Sequence, residues 1–589
     1  MAHDPRITVD VQSLLKADVL ATNIVNLWVS WKASRSTWEN DKKELREYLV
    51  ATDTTKTSNK KLPWKNSTTT PKLTQIRDNL HANYMSALFP HDDWFVWEPA
   101  TLEEATAEKT NYIKAYMKNK LTRSGFYETM SRLVYDYIDY GNAFAEVNYL
   151  TVDHERKDIG RFAVYHGPIC YRISPLDIVF DITAMTFKHT PKITRSLISL
   201  GTLKQKAQTI PWAQKAFDIA VERRTVVQNL QADDVNKQAG VSIDGFSSFV
   251  DYLASSQIEI LEFEGDLFDP IKQTLLTGHK IIVIDRKTIV YQEPFESWLG
   301  CSSKEHVAWR LRSDNLMGMG PLDNLVGMQY RIDHLENLKA DVFDQIAHPV
   351  VIKRGYVEDF TWGPGEQINC DTDATVETLH PDTIALNADL QIQNTLNIME
   401  EMAGAPKQAM GIRTPGEKTA FEVQSLDNAA GRIFQSKITW FETQFIEPIL
   451  NQMLEQARRN LEITELVSIL DEDYGVTEFM NITQKDLQSK GRLVPMGARH
   501  YARQNQLAQN IMGFVNSAAY QDPLVQAHIS GLKLAKTFEQ LLDIGKFGLV
   551  QQNIRIAEQM ELQQQQTSSQ KIQVDQLAAE QEAQDNAQA

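Results

Sequence analysis

Between residues 320 and 403 the chain spells out a long helix, a short β-rich excursion and a returning helix. The stretch "GPLDNLVGMQYRIDHLENLKADVFDQIAHP" puts Pro321 at a first helical position, where its missing N–H has no intrahelical partner to lose. Leu322, Leu325, Val326, Ile332, Leu335, Leu338, Val342 and Ile346 then recur at helical spacing. A helix over 321–347 would be about 40 Å long at about 1.5 Å per residue. Residues 348–386 read as short β runs with Gly and Pro turns. A second helix, 387–403, carries Leu390, Ile392, Leu396, Met399 and Met402 and stops at Gly404 and Pro406. One chain offers this helical hairpin no second layer to pack against.

The segments on either side read as mixed α and β. Residues 10–50 are mostly helix-patterned, with Leu14, Leu15, Val19, Ile24, Leu27 and Trp28 on roughly one face. The polar run 54–71, with two prolines, reads as a loop. Residues 72–89 form a further helix, and 101–140 two more, with Gly125 as the break. "AFAEVNYLTV" and "RFAVYHGPICYRI" flank a charged turn and read as a hairpin. "SQIEILEFEGDLF", "KIIVIDRKTIVYQEPF" and "HVAWRLR" read as an antiparallel meander. Residues 196–245, polar and helix-prone, look inserted. A long helix is expected from 419 to about 460, with Pro448 kinking it near Glu447. Residues 484–550 read as further helices with short connections, and the Gln-rich end from 551 as either a helix or a disordered tail.

Composition limits the functions open to such a chain. Its 589 residues are 42 % hydrophobic and carry a net charge of −17. That balance argues against broad, tight, non-specific DNA binding, which needs a basic face. Cys170, Cys301 and Cys370 lie far apart, with neither metal spacing nor a disulfide framework. The N-terminus lacks the basic-then-apolar pattern of a signal peptide, and no apolar run is long enough to span a membrane.

The loop after the second helix poses a specific question. "GIRTPGEKTAFE" (411–422) resembles a phosphate-binding loop, but Glu417 stands between Gly416 and Lys418. A nucleotide loop needs a strand feeding it, and "IMEEMAGAPKQAM" reads as broken helix instead. Asp285, after "KIIVI", imitates a magnesium-holding strand but lies upstream of the loop. "TAFE" (419–422) reads better as a capping box, with Thr419 capping the helix and Glu422 reaching back. Lys407, Arg413 and Lys418 are then basic residues on a loop that opens a long helix.

Other candidates are weaker. "HDD" (91–93) and the pair Asp177/Asp181 lack metal spacing. His306, His334, His348 and His380 form no catalytic set with Ser, Cys or Asp at this level. Trp94 and Trp97 read as core or subunit contacts rather than base-stacking platforms. No catalytic residue, metal or cofactor is expected.

The order of these parts resembles the portal, or head–tail connector, protein of tailed bacteriophages, particularly short-tailed ones. "NYMSALFPHDDWFVWEP" is similar to their N-terminal stretch, and "LENLKADVFDQIAHPVVI" to their first stem helix and its exit. "GIRTPGEKTAFEVQSL" is similar to their tunnel loop, allowing for an extra Pro415 or Gly416. The resemblance spans most of the chain, with 196–245 fitting least well.

The resemblance implies an α+β portal fold. Residues 1–320 would be the wing, 321–347 and 387–403 the stem, and 348–386 the clip. Residues 404–418 would be the tunnel loop, with Lys407, Arg413 and Lys418 facing DNA, followed by the kinked helix and wing return at 419–483. Residues 484–550 would be the crown and 551–589 a barrel helix or tail. It further implies a non-enzymatic dodecameric ring, assembled in the host cytoplasm and located at one vertex of the virion capsid. Double-stranded DNA would pass through it without sequence preference during packaging and ejection. Its partners would be the terminase large subunit, the major capsid and scaffold proteins, and a tail adaptor. A nucleotide-driven packaging motor and an internal capsid protein are the alternatives.

Overall fold

In the computed structural model the described residues are 18–62, 65–90, 94–101, 107–156, 160–208, 210–228, 257–359, 367–379, 381–403, 433–461, 464–471, 476–488 and 490–497. Among the described residues, helices mix with five sheets, an α+β architecture. It divides into two compact units: residues 1–467 with 481–498, and residues 468–480 with 499–589. In the second unit the described residues are 468–471 and 476–480, which belong to the paired strands β12 (Thr464–Asp471) and β13 (Val476–Thr483).

The first unit opens with helices α1 (Val19–Ser34), α2 (Ser36–Val50) and α3 (Lys72–Leu88), then strand β1 (Phe95–Pro99). Helices α4 (Ala107–Arg123) and α5 (Phe126–Asp139) are separated by Gly125, whose left-handed backbone (φ 68°) ends one helix and starts the next. Strands β2 (Asn142–Arg156) and β3 (Gly160–Ile173) form the expected hairpin. Then come β4 (Ile178–Phe180), β5 (Lys192–Ser199), α6 (Leu200–Lys206), α7 (Pro211–Gln228), β6 (Gln257–Asp269), β7 (Thr274–Ile284), β8 (Thr288–Pro294) and β9 (Lys304–Ala308).

Strands β4 to β8 make one sheet in chain order, so the meander reading holds for β6, β7 and β8. The β7–β8 turn is tight: Lys287 N–H donates to Ile284 O (3.0 Å), and Asp285 and Arg286 between them are both at positive φ (50° and 58°), as the central residues of a type I′ turn are. The "HVAWRLR" stretch departs from the expectation. As β9 it leaves the meander and pairs with β2, Glu146 opposite Lys304. Local alternation cannot tell which strand edge a segment will join.

Both faces of the five-stranded sheet are covered, because β6 and β7 alternate two apolar sets. Leu261, Phe263, Ile281 and Val283 pack under α1, against Ala21, Ile24 and Trp28. Ile258, Ile260, Ile282 and Ile284 pack under α6 and α7, against Leu203, Ala213, Ala216 and Ala220. This corrects the reading of 196–245 as an inserted excursion: through residue 228 it supplies the second half of β5 and the α6–α7 layer over one face of the sheet. The small residues Ala213, Ala216 and Ala220 let α7 lie close to the sheet.

The chain then passes to helix α8 (Val326–Ala347). It starts five residues later than expected, because Gly320 N–H donates to the Asp323 carboxylate (2.8 Å) and Asp323–Leu325 form a 3-10 turn. Strands β10 (Val350–Arg354) and β11 (Thr375–Leu379) pair beyond it, and α9 (Asp389–Met402) returns. Helical residues 433–441 (α10) lead into a π-helical turn, Glu442–Ile446, and then α11 (Glu447–Asn460). Strands β12 and β13 pair, the short helix α12 (Gln484–Leu487) follows, and β14 (Gly491–Pro495) pairs with β1. That last pairing, Trp97 opposite Leu493, falls where helices were expected from 484 onward.

The exit toward α8 is fixed by a crossing of bare backbones. Gly141 adopts φ 69°, and a Cβ added there would sit 2.3 Å from Gly320 N. Asn142 brackets the crossing: its Nδ2 donates to Gly318 O (3.0 Å) and its Oδ1 accepts from Gly318 N (2.8 Å). Gly141→Ala is expected to lower unfolding stability by at least about 3 kcal/mol, since backbone rather than a movable side chain blocks the methyl. Gly327→Ala, with open space around it in α8, is expected to raise stability by about 0.5–1 kcal/mol. Denaturant unfolding of the two variants checks both signs.

Candidate functional site

The loop residues Lys407, Arg413 and Lys418, and the cap pair Thr419 and Glu422, lie outside the described residues, which resume at 433. What the structure describes is the framework on both sides of that loop. Upstream, the described residues end in α9, a helix rather than the strand a nucleotide site would need. Asp285, the other part of the nucleotide reading, is fully buried in the β7–β8 turn. Its carboxylate lies 3.2 Å from Arg223 Nη1 and 3.8 Å from Arg224 Nη2. Two guanidiniums occupy the place a magnesium ion would take.

Downstream of the loop, Pro448 is the second residue of α11. Proline has no N–H for the carbonyl four residues back, and its ring crowds that carbonyl. The wider π turn Glu442–Ile446 lies immediately before it, and Glu447 N–H bonds to Glu442 O, five residues back. The irregularity therefore sits one turn upstream of Glu447. α11 itself is firmly held: Ile449, Leu450, Met453, Leu454 and Ala457 are buried, and Asn451 exchanges hydrogen bonds with Leu493 of β14 (3.0 and 2.8 Å).

The α8–hairpin–α9 segment has a different character. Leu338, Phe343, Val350, Leu379, Leu390, Ile398 and Met402 are all exposed, Leu390 at 78 % and Phe343 at 52 %. Ile392 and Met399 are the buried apolar residues of α9. Lys339 ties the helices together through Asp389 (2.5 Å), and Lys72 of α3 pairs with Glu400.

α8 uses polar side chains to hold its other neighbour. Gln329, Asp333, Asn337 and Asp341 recur every fourth residue along one face. Against them runs the polar segment 65–70, backbone first. Thr70 N donates to Asp333 (3.1 Å), Thr68 N to Asn337 (2.8 Å), and Asn66 N to Asp341 (3.0 Å). Asn337 Nδ2 and Gln329 Nε2 return the contact to Thr68 O (2.7 Å) and Thr70 O (2.5 Å). Burial pushes the Asp333 carboxyl up, and the Thr70, Thr69 and Gln329 donors work against that. The segment 65–70 is a loop as expected; its docking on α8 is signalled in the sequence by the four-residue polar repeat of that helix.

The remaining candidates resolve into structure. Asp181 accepts from Thr183 N (2.9 Å) and Thr183 Oγ1 (2.7 Å), closing a turn, while Asp177 O takes Arg195 N (2.8 Å). His306 is half-buried, stacked on Phe144 (centroids 4.5 Å apart) and bonded to Asn142, and desolvation pushes it down to about 3. Trp94 is buried, stacked on Phe126, with its indole N–H on Tyr127 (2.9 Å). Cys170 and Cys301 are buried and Cys370 is exposed; none is bonded to another. His380 and the "HDD" stretch lie outside the described residues. One group that sequence reasoning missed does assemble: Glu146, Glu262 and Glu264 bring carboxylate oxygens within 4.8 Å of one another. Lys280 and Lys304 stand among them. Among the described residues, no helix is long and apolar enough to cross a membrane.

No protein-family model matches the chain, and a search of curated proteins returns no match.

Asn337→Ala is expected to leave Thr68 N–H and C=O without their partner, lowering stability by about 1–3 kcal/mol. The local check is amide hydrogen exchange. Protection at 65–70 should drop in the variant, while β6 and β7 keep theirs.

Proposed function

We propose that this chain is the subunit of a portal ring, the DNA channel at one vertex of a tailed bacteriophage capsid. The observation that carries the reading is the α8–hairpin–α9 segment. Two linked helices tipped by an exposed strand pair leave Leu338, Phe343, Leu390, Ile398 and Met402 uncovered. Copies related by a rotation would cover these residues head-to-tail and close into a ring, dodecameric by the family resemblance. In this reading α8 and α9 are the stem, β10–β11 the clip, and the five-stranded sheet with its two helical layers belongs to the wing.

The charge balance supports a conduit rather than a clamp. A ring of chains each carrying −17 is strongly acidic, and an acidic wall repels phosphates and lets double-stranded DNA slide. Lys407, Arg413 and Lys418 on the tunnel loop supply sparse, sequence-blind contact. The terminase large subunit docks on the ring during packaging, the capsid and scaffold proteins surround it, and a tail adaptor replaces the motor afterward. The motor reading has less behind it: a helix precedes the loop, and Asp285 is held by arginines.

Native mass spectrometry of the purified chain is expected to give a closed oligomer of portal size; a stable monomer under all assembly conditions sinks the proposal. Glu substitutions at Leu390 and Ile398 should leave the monomer fold within about 0.5 kcal/mol, as exposed positions do, while blocking the oligomer. No ATP turnover is expected with or without DNA, and Lys418→Ala should change none of it. Turnover that Lys418→Ala abolishes would reinstate the motor reading.

A further inference from the structure

Two cations gather on one buried ring, and one of them stands on α10. Trp309 follows directly on β9 and is 3 % exposed. Its backbone N–H donates to Gly141 O (2.9 Å) and its indole N–H to Tyr84 Oη of α3 (3.0 Å), so the residue is held at both ends. Arg310 places its guanidinium carbon 5.3 Å from the Trp309 ring centroid. Its backbone is tied to Met319 by reciprocal hydrogen bonds of 3.2 Å. Lys437 of α10 brings its Nζ to 4.9 Å from the same indole. α10 is itself well seated. Phe434 meets Tyr84 edge to face (5.0 Å), Tyr137 Oη donates to Lys437 O (3.3 Å), and Ile438 and Phe441 are buried. Arg310 is exposed and Lys437 half-buried.

No acid answers these two charges. Among the described residues, neither Arg310 nor Lys437 pairs with a carboxylate. Arg312, two residues on, has its own acid in Asp314 (3.4 Å). The next acid along the helix, Glu442, is buried in the π turn. Trp309 attracts both cations through its ring quadrupole, but a quadrupole carries no net charge. Desolvation, and then the like charge of Arg310, push the Lys437 ammonium down. An anion placed between the two would relieve that repulsion.

The surroundings favour a phosphate backbone as that anion. Residues 433–441, "IFQSKITWF", hold no acid that would repel one. Gln435, Ser436, Thr439 and Trp440 line an open groove along α10, which sets neutral amide and hydroxyl groups on the helix that carries the ammonium. Arg and Lys together with Ser, Thr and Gln contact the phosphate oxygens of DNA without reading its bases. An open groove admits a continuous chain, where an enclosed cavity would take only a small ion. We propose that Arg310 and Lys437 form a phosphate-binding site for the backbone of double-stranded DNA. DNA as the ligand rests on the conduit reading. The site adds a contact seated on packed structure, on the first described helix after Lys407, Arg413 and Lys418.

The test uses the full purified chain and short linear duplexes, with affinity read by fluorescence anisotropy between about 50 and 200 mM salt. Each phosphate contact contributes about 0.9 to the slope of log affinity against log salt. The double variant Arg310→Gln/Lys437→Gln should lower that slope by about 1 or more and weaken two duplexes of unrelated sequence alike. Arg310→Lys/Lys437→Arg, which keeps both charges, should retain the wild-type slope. An unchanged slope in the Gln variant overturns the site, as does an equal loss in the charge-keeping variant. Wild-type protein that binds no duplex at these salts overturns it as well. If the Gln variant instead loses the oligomer seen by native mass spectrometry, the anion is a carboxylate of a neighbouring copy and the DNA site falls. The ring and the site fail separately. A closed ring whose slope the Gln variant leaves unchanged removes the site and keeps the conduit reading, whereas a monomer whose slope it lowers keeps the site and removes the ring.

Discussion

The architecture depends on the contact where Gly141 and Gly320 cross without side chains. At that point the chain leaves its sheets and commits to α8. Trp309 N–H and Asn142 hold the strand side, with Trp309 N donating to Gly141 O at 2.9 Å. On the helix side, Asp323 takes Gly320 N–H and pairs with the buried Lys42, whose ammonium also reaches Asp139 O (3.1 Å). Two backbones in van der Waals contact have no soft mode between them. α8 therefore leaves in a direction set by steric exclusion.

A second constraint keeps that direction along the helix. The ladder from Gln329 to Asp341 binds a peptide backbone much as a strand edge would, but with side-chain amides and carboxylates. Polar packing of this kind holds one face of α8 without drawing on its apolar residues. Leu338 and Phe343 are left exposed by it. In the ring reading, those residues are what a neighbouring copy covers.

Much of the fold was legible because its signals are local. The α4/α5 break at Gly125, the β2–β3 hairpin and the β6–β8 meander follow from backbone freedom and alternation within some twenty residues. The long helix and its return showed in periodicity, with the helix start displaced by Asp323. The pairings that were misread join distant segments: β9 to β2, and β14 to β1. Each is decided by which sheet edge is left open, which no short window records. The site was legible only as a loop between helices. The charged cluster was hidden because its members come from four strands. Glu262 and Glu264 alone read as the solvent face of an ordinary strand, yet the opposing sheet covers them.

A packed sheet body, a helical hairpin with uncovered apolar residues and a basic stretch of sequence occur together in an acidic chain. In the proposed ring, the layer over that hairpin is another copy of the chain. The most direct measurement is electron microscopy of the purified oligomer viewed down its axis. A closed ring with a central channel wide enough for double-stranded DNA is the predicted result. A stable monomer, or an assembly with no axial channel, would contradict it.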